Sequence, residues 1–544
     1  MTDPDVIVVG GGPGGSTAAT MLARKGWRVI LLERDHFPRE HIGESLLPAS
    51  MPVLEELGVL PTIEAEGFLQ KWGATMVWGA STDPWSWYFR ETNPQYPHTY
   101  QVWRARFDQI LLDNARANGV DVREGQRVLE VCFEGDSVTG LAYIDDAGAR
   151  KKARGRFVVD ASGQAGLIAR ARRLRRTDDY FRNLAVYAYF DGAARLPSPD
   201  ENNLLIEAYP HGWGWLIPLH SGWASVGVVV DSAYGQAQIA TLGLEAFLRE
   251  QYAQAPGIAA MLAPATLASG PHVVRDWSYV SDRLVGDGYI LVGDAACFID
   301  PLFSSGVHLA LLSGVLAAAC VTTALKTPAL RAGAAAVYEQ LYRQQYGHFR
   351  EMARLFYSSN RTTESYFWEA RRILGDEGAE MAPREAFIRA VAGQPPQGYE
   401  RAVLDHGEAP PEFVRAVRAA EEARATRLAR AAAIFPPGPP SPALLAAIPR
   451  LAKGVVMETK PVIGEGEFVP SPVLTTTEHP EGTPLSPFAA RVVAAIDGRR
   501  PVAAIVEAAL EGIAAEQAAR LAPQAFATLR ILYLDGALEG FARA

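Results

Sequence analysis

The opening of the chain leaves few folds open: Val6-Ile7-Val8-Val9 runs directly into Gly10-Gly11-Gly12-Pro13-Gly14-Gly15. A four-residue apolar, β-branched run reads as a strand buried on both faces. The glycines read as a tight turn, and Ser16 to Lys25 as a helix that Gly26 stops. Val29-Ile30-Leu31-Leu32 is a second strand ending at Glu33. Gly10-x-Gly12-x-x-Gly15 matches the dinucleotide fingerprint, in which Gly10 permits the turn, Gly12 lets the backbone approach a diphosphate and Gly15 lets the helix pack against the strand. The helix start, near Ser16, offers unpaired N–H groups to phosphates. Glu33 is placed to accept hydrogen bonds from ribose hydroxyls. A glycine-rich turn without nucleotide is the competing reading; the strand before it, the helix after it and the acid beyond argue against that. The predicted class is α/β, with a Rossmann-like nucleotide-binding domain.

The remaining composition sets limits on partners and size. With 544 residues, 49% of them apolar, the chain has room for two or three domains. A net charge of −9 argues against a general nucleic-acid binder. Cys132, Cys297 and Cys320 form no CxxC pair, so neither a disulfide framework nor a metal site is expected, and a reducing cytoplasm fits. The short lead into the first strand is not read as a signal peptide. Residues 306–325 approach the length of a membrane span, but His308, Ser313 and Gly314 interrupt them and no basic flank or aromatic belt marks the ends. A buried helix, and no membrane, is expected. The predicted organisation is a nucleotide-binding domain over 1–335 interleaved with a substrate-side β-sheet at about 60–100 and 180–280, and a helical region over 336–434. A Pro-rich linker and irregular segment follows over 435–480, then a small helical appendage over 481–544 starting at Ser486-Pro487.

The fingerprint alone does not choose the nucleotide. Gly293-Asp294-Ala295-Ala296, far downstream and followed by Asp300-Pro301 and Gly306, resembles the FAD fold of the aromatic hydroxylase superfamily. That resemblance implies FAD, a Gly-Asp pair at its ribityl and pyrophosphate region, and a helix whose positive end faces the isoalloxazine and stabilises the anionic reduced ring. It places Arg104 against the flavin and adds Arg34, Glu44, Ser45, Val128, Pro301, Gly306 and Val307 to the cofactor contacts. A solvated helix charge is the plainer reading of Arg104. No second fingerprint of similar quality occurs, so FADH2 is expected from a separate NAD(P)H-dependent reductase.

Two further patterns resemble the flavin-dependent halogenases, on the branch acting on phenols and pyrroles, free or tethered to a carrier protein. Gly212-Trp213-Gly214-Trp215-Leu216-Ile217-Pro218 is similar to that family's GWxWxIP signature. On spacing alone Trp213 and Trp215 share one face of a strand and suit a core. The resemblance makes them, with Pro218, the wall of a tunnel that keeps substrate from the flavin. Lys71, in Gly67-Phe68-Leu69-Gln70-Lys71-Trp72-Gly73, matches the family's catalytic lysine, although an isolated lysine is ordinarily solvated. The family chemistry implies that flavin hydroperoxide and chloride or bromide give hypohalous acid, which Lys71 holds by hydrogen bonding or carries as a chloramine. Trp72 and Trp78 are expected to lower the lysine pKa. The resemblance covers roughly residues 1–400, including Gly43-Glu44-Ser45-Leu46-Leu47-Pro48-Ala49, and implies halide binding by the backbone at Ser305 and Gly306. Free-tryptophan halogenases carry a glutamate where this chain has Phe303, which favours a phenol or pyrrole acceptor.

Other features carry less. Arg170-Ala171-Arg172-Arg173-Leu174-Arg175-Arg176 reads as a solvated turn, or as a docking patch for an acidic carrier or reductase. Trp85, Trp87, Tyr88 and Phe89 read as substrate pocket or as core, and the C-terminal region as a lid or docking module. The alternatives to a halogenase are a flavin monooxygenase or prenyl reductase on the same fold, and then a non-catalytic, carrier-binding flavoprotein.

Overall fold

The computed structural model describes residues 3–79, 83–358 and 383–393, then 427, 430, 431, 434, 435, 440–463, 467–476 and 482–542. The chain divides into two compact units, Met1–Asp405 and His406–Ala544. Helices are labelled α1 (Pro13–Arg24), α2 (Arg104–Ala117), α3 (Ser305–Lys326), α4 (Arg331–Ser358) and α5 (Pro383–Val391).

The first unit is built on two large sheets, beside a three-stranded sheet of Arg127–Glu134, Ser137–Ile144 and Arg150–Arg154 and a two-stranded one of Leu69–Lys71 and Thr99–Gln101. One has six strands in the order Val285–Gly286, Tyr289–Leu291, Phe157–Asp160, Val6–Val9, Val29–Leu32 and Asp121–Arg123, parallel except for its first pair. Its central strand, Val6–Val9, is buried along its whole length, as the unbroken apolar run predicts. The helix that follows begins at Pro13, three residues before the predicted start, because Pro13 occupies the first turn where no N–H is needed. Helix α3, the one helix among the described residues long and apolar enough to cross a membrane, is mostly buried and lies against α1 and α4.

The second sheet has eight strands, in the order Cys297–Phe298, Thr266–Ser281, Arg175–Asp191, Trp223–Asp231, Gly212–Pro218, Leu204–Tyr209, Gly73–Val77 and Trp85–Tyr88. Ala224, Val226, Val228 and Val230 turn to one face, where they meet Phe247, Leu248, Ile258 and Met261 from two short helices. Each such buried aliphatic contributes roughly 2 kcal/mol relative to exposure. A one-residue slip would put Ser225 and Gly227 there instead, so the apolar row fixes the register. The opposite face carries Tyr187, Tyr189, Trp213 and Trp215.

The second unit has its own core of Val492, Val502, Ile505, Val506, Leu529 and Leu532, from helices Pro487–Ala494, Val502–Leu510 and Ala515–Leu534. The predicted start holds: Ser486 Oγ accepts from Ala489 N at 3.1 Å. The irregular segment predicted over 435–480 requires correction. Val456–Ile463 and Phe468–Thr475 pair antiparallel there, and Ile448–Leu451 pairs with Leu538–Ala542. The prolines misled because Pro461 lies opposite Pro470, so two missing donors share one rung of the ladder. Of the helical region predicted over 336–434, residues 359–382, 394–426, 428, 429, 432 and 433 lie outside the described residues.

Candidate active site

The fingerprint glycines divide by role. Gly10 has φ +100°, and a Cβ there would lie 2.3 Å from Ala161 O; one on Gly15 would lie 1.9 Å from Gly10 O. Both are required by the chain itself. Gly12 has an extended backbone, and the nearest atom to a Cβ there is Arg39 Nη2 at 3.5 Å. Its missing side chain leaves space at the start of α1, where the first N–H groups have no helical partner. Ser16 Oγ donates to Gly11 O at 2.8 Å and so stabilises the turn. The buried Glu33 carboxylate accepts from Gly11 N at 2.6 Å and Asp35 N at 2.9 Å, which fixes it beside the same turn. Arg34 instead points to solvent and pairs with Asp35.

The opposite wall comes from 39–46, α2 and the segment before α3. Arg104 is buried. It donates to Asp108 through Nε (2.8 Å) and Nη2 (2.9 Å), and to Ile42 O through Nη1 (2.6 Å). The solvated-charge reading therefore fails, and the guanidinium serves to hold Gly43 and Glu44 in place. Asp108, Glu44 and Asp294 outweigh burial and raise the Arg104 pKa. Glu44 is buried, accepting from Tyr189 OH at 2.8 Å and Gly43 N at 3.0 Å; burial raises its pKa. Ser45 is buried next to it. The Asp294 carboxylate makes no side-chain hydrogen bond among the described residues and faces Arg104 and Arg175; burial lifts it to about 6. Val128 lies on the strand Arg127–Glu134, just past Gln126, whose N–H donates to Glu33 O at 2.7 Å.

Pro301 and Ser304 form the turn into α3, with Ser304 N donating to Pro301 O at 3.0 Å and Ser304 left-handed at φ +56°. Ser305 is buried, Gly306 is exposed with open space around its Cβ position, and Val307 Cγ2 lies 3.9 Å from where a Gly43 Cβ would be. The start of α3 thus meets the Gly43–Arg104 wall, while Gly14 and Gly314 allow α1 and α3 to touch. The open space at Gly12, the unpartnered Asp294 carboxylate and the two helix starts suit a dinucleotide carrying a flavin: Gly12 and α1 would hold its diphosphate, Glu33 a ribose, and Asp294 the ribityl hydroxyls.

Lys71 lies one strand away from this wall. Thr99–Gln101 pairs with Leu69–Lys71 on one side and bridges to Ser45 on the other. Leu46 N donates to Tyr100 O at 3.0 Å, and Lys71 Nζ donates to Leu46 O at 2.9 Å. The lysine is 1% exposed, and burial alone brings its pKa from 10.5 down to about 7. The predicted aromatic neighbours need correction. Phe89 is the ring under Nζ, at 5.4 Å; Trp72 packs on His98, and Trp78 on Trp213, Phe356 and Tyr357. Burial lowers the pKa, in the expected direction.

The Gly-Trp-Gly-Trp run sorts its two faces by size. A Cβ on Gly214 would lie 2.7 Å from Ile258 Cδ1, so glycine lets the helix at Pro256–Leu262 approach one face. Trp213 and Trp215, both buried with ring centroids 6.0 Å apart, project from the other. Trp215 meets Tyr187 at 6.4 Å, and Tyr187 meets Tyr189, which bonds Glu44. The tryptophans therefore share the face that meets the cofactor wall. Pro218 is buried at the strand end. Trp85 and Trp87 pack on Phe387 of α5, and Phe303 packs edge-on against Phe356 at 5.1 Å.

A model of the tryptophan halogenase family matches residues 5–103 and 90–402. The chain belongs to this family of flavin-dependent halogenases. It is 37% identical over 410 residues to a tryptophan 2-halogenase of Chondromyces crocatus, covering 74% of this chain and 76% of that one. It is 34% identical over 342 residues to the sulochrin halogenase gedL of Aspergillus terreus, covering 58% and 62%. Among solved structures it is similar to the myxobacterial chondrochloren halogenase CndH (39% identity, TM-score 0.64, covering 77% and 97%). It is also similar to CmlS, a flavin-dependent halogenase (26% identity, TM-score 0.69, covering 99% and 96%). The halogenase is thus an FAD enzyme, and the starts of α1 and α3, with the Gly43–Arg104 wall, have the residues to hold that cofactor.

Some residues of this halogenase escaped the sequence reading. Arg39 lies over Gly12 and within 3.3 Å of Asp108, yet no motif surrounds it. Tyr357 joins Trp213 from the far end of α4. The basic run at 170–176 is largely occupied: Arg172 pairs with Asp136 and covers Phe133, Arg175 stacks on Tyr279 at 3.8 Å, and Arg176 pairs with Asp282. Arg170, Arg173 and Arg176 stay exposed, which agrees with the reading of a solvated turn.

Proposed function

We propose that this halogenase passes hypohalous acid from the FAD cleft to Lys71, which transfers halogen to an electron-rich phenol or pyrrole ring. The observation that carries the reading is a fully buried amine held near neutrality one strand away from the cofactor wall. Reduced FAD, delivered by a separate reductase, supplies with O2 the oxidising equivalents that turn chloride or bromide into hypohalous acid. The N–H groups of Ser305 and Gly306, at the start of a 22-residue helix, are suited to hold the halide. Trp213, Trp215 and Pro218 wall the cleft, so that the acceptor ring waits elsewhere. At Lys71 the neutral amine attacks chlorine: an N–Cl bond forms, and hydroxide leaves as water with one amine proton. The acceptor carbon then takes chlorine and releases its proton as the amine regains one. A pKa near 7 keeps a substantial share of the amine neutral at physiological pH, which an ordinary lysine does not.

Phe303 supports the phenol or pyrrole acceptor. It packs edge-on against Phe356, and a cationic ring intermediate finds no carboxylate from that position. Such a site suits rings activated by their own oxygen or nitrogen. Tethering of the acceptor to a carrier protein extends the same reading. A second reading, free tryptophan, is favoured by the name of the Chondromyces crocatus relative. Mass spectrometry of reactions containing reduced FAD, each halide, and phenolic, pyrrolyl or tryptophan acceptors, free and carrier-bound, separates them. Halogenated phenol or pyrrole is expected, and exclusive turnover of free tryptophan would overturn the assignment.

A further inference from the structure

A polar chain of three buried side chains and the half-buried Tyr357 links the tryptophan wall to the turn before α3. Trp213 Nε1 donates to Tyr357 OH at 2.5 Å, and Tyr357 OH donates to Asp300 Oδ2 at 2.8 Å. Asn183 Nδ2 donates to both, at 3.3 and 3.4 Å. Asp300 Oδ1 accepts from Leu302 N at 2.8 Å, which shapes the turn leading to Ser305 and Gly306. Trp213, Asp300 and Asn183 are all buried.

The directions of these bonds are forced. An indole N–H only donates, a carboxylate only accepts, and a phenol has one proton. Tyr357 must give that proton to Asp300 and accept from Trp213. The indole ring is therefore held at a set angle by a residue on α4, and the same carboxylate fixes the turn before the halide-binding backbone. Trp78 and Phe181 brace the phenol ring edge-on, at 6.2 and 5.5 Å. No chemistry described above uses Tyr357 or Asp300.

We propose that Tyr357 is a positioning residue: through its bonds to Trp213 and Asp300 it locks the tunnel wall to the halide turn, so that hypohalous acid reaches Lys71 instead of escaping. This rests on the proposed transfer of hypohalous acid, and its test reads geometry and leakage separately. Tyr357→Phe removes one oxygen and leaves the ring packing intact. Tyr338→Phe is the control, since its buried hydroxyl, on the same helix, donates to Leu291 O at 2.6 Å and lies outside the chain.

With ¹⁵N-tryptophan-labelled, FAD-loaded protein, the Trp213 indole resonance (identified with Trp213→Phe) is expected to shift upfield in Tyr357→Phe and to stay in place in Tyr338→Phe. In turnover with reduced FAD, oxygen and chloride, monochlorodimedone traps free hypochlorous acid. Trapped acid per flavin reoxidised is expected to rise on the order of tenfold in Tyr357→Phe, the ratio that one lost hydrogen bond of ordinary net strength sets. An unmoved Trp213 resonance, or leakage equal to that of Tyr338→Phe, would overturn the proposal. A shifted resonance with no trapped acid and no halogenated product from any of the proteins would uphold the positioning of Trp213 and overturn the halide chemistry instead.

Discussion

Replacing Lys71 with Met keeps a long, unbranched side chain and removes the amine. Lowering this amine from 10.5 to about 7 means that charging it in the folded state costs roughly 5 kcal/mol. Removing it leaves Leu46 O without its buried donor, a loss of about 1–3 kcal/mol. The relief exceeds the loss, so Lys71→Met is expected to be more stable than the parent at pH 7 and inactive in halogenation. The sign with pH follows from the depressed value. Well below pH 7 both the folded and unfolded states hold the proton, and the penalty is full. Between 7 and 10.5 only the unfolded chain holds it, so parent stability rises with pH and the advantage of Met fades. Thermal unfolding of the Met1–Asp405 unit, followed by flavin fluorescence from pH 6 to 10, reads the stability difference, and mass spectrometry reads the product. A variant less stable than the parent at pH 7, or one that still halogenates, would refute the reasoning.

Other substitutions probe the same geometry. Gly12→Val meets only the Arg39 guanidinium, at an ordinary contact distance of 3.5 Å, so it is expected to leave the fold intact and weaken FAD binding by roughly tenfold or more, measured by flavin titration. Gly227→Ala places a methyl group 2.3 Å from the Trp215 ring, so displacement of that indole should lower halogenated product per flavin oxidised while FAD affinity holds. Because the neutral amine is the nucleophile, single-turnover halogenation should rise as pH passes through about 7 and then level off, whereas cofactor binding follows a different profile.

Much of this was legible in the residues. Val6–Val9, the glycine turn and Glu33 could be placed because short-range rules govern them: a buried strand, a turn with positive φ, and an acid at a strand end. The Gly-Trp-Gly-Trp run gave both its strand and the shared face of its indoles, since a strand alternates. Lys71 was marked by family resemblance, but its depressed pKa depends on complete burial, which no local pattern shows. Arg39 and Tyr357 were missed for a similar reason. Each meets its partner only through chain separations that tertiary packing closes. The strands at 456–475 were obscured by prolines whose pairing across the hairpin depends on register. Arg34 matched a motif position, yet its side chain turns outward, because sequence spacing fixes the backbone more firmly than a long side chain.

The central claim is that halide oxidation and ring chemistry occupy separate chambers, joined only through Lys71. Its most direct test is product analysis of a phenolic acceptor with the enzyme, reduced FAD and oxygen, in the presence and absence of chloride. The account predicts a chlorinated ring with chloride and unchanged acceptor without it. A hydroxylated ring in the absence of halide would show that the acceptor meets the flavin, and would contradict it.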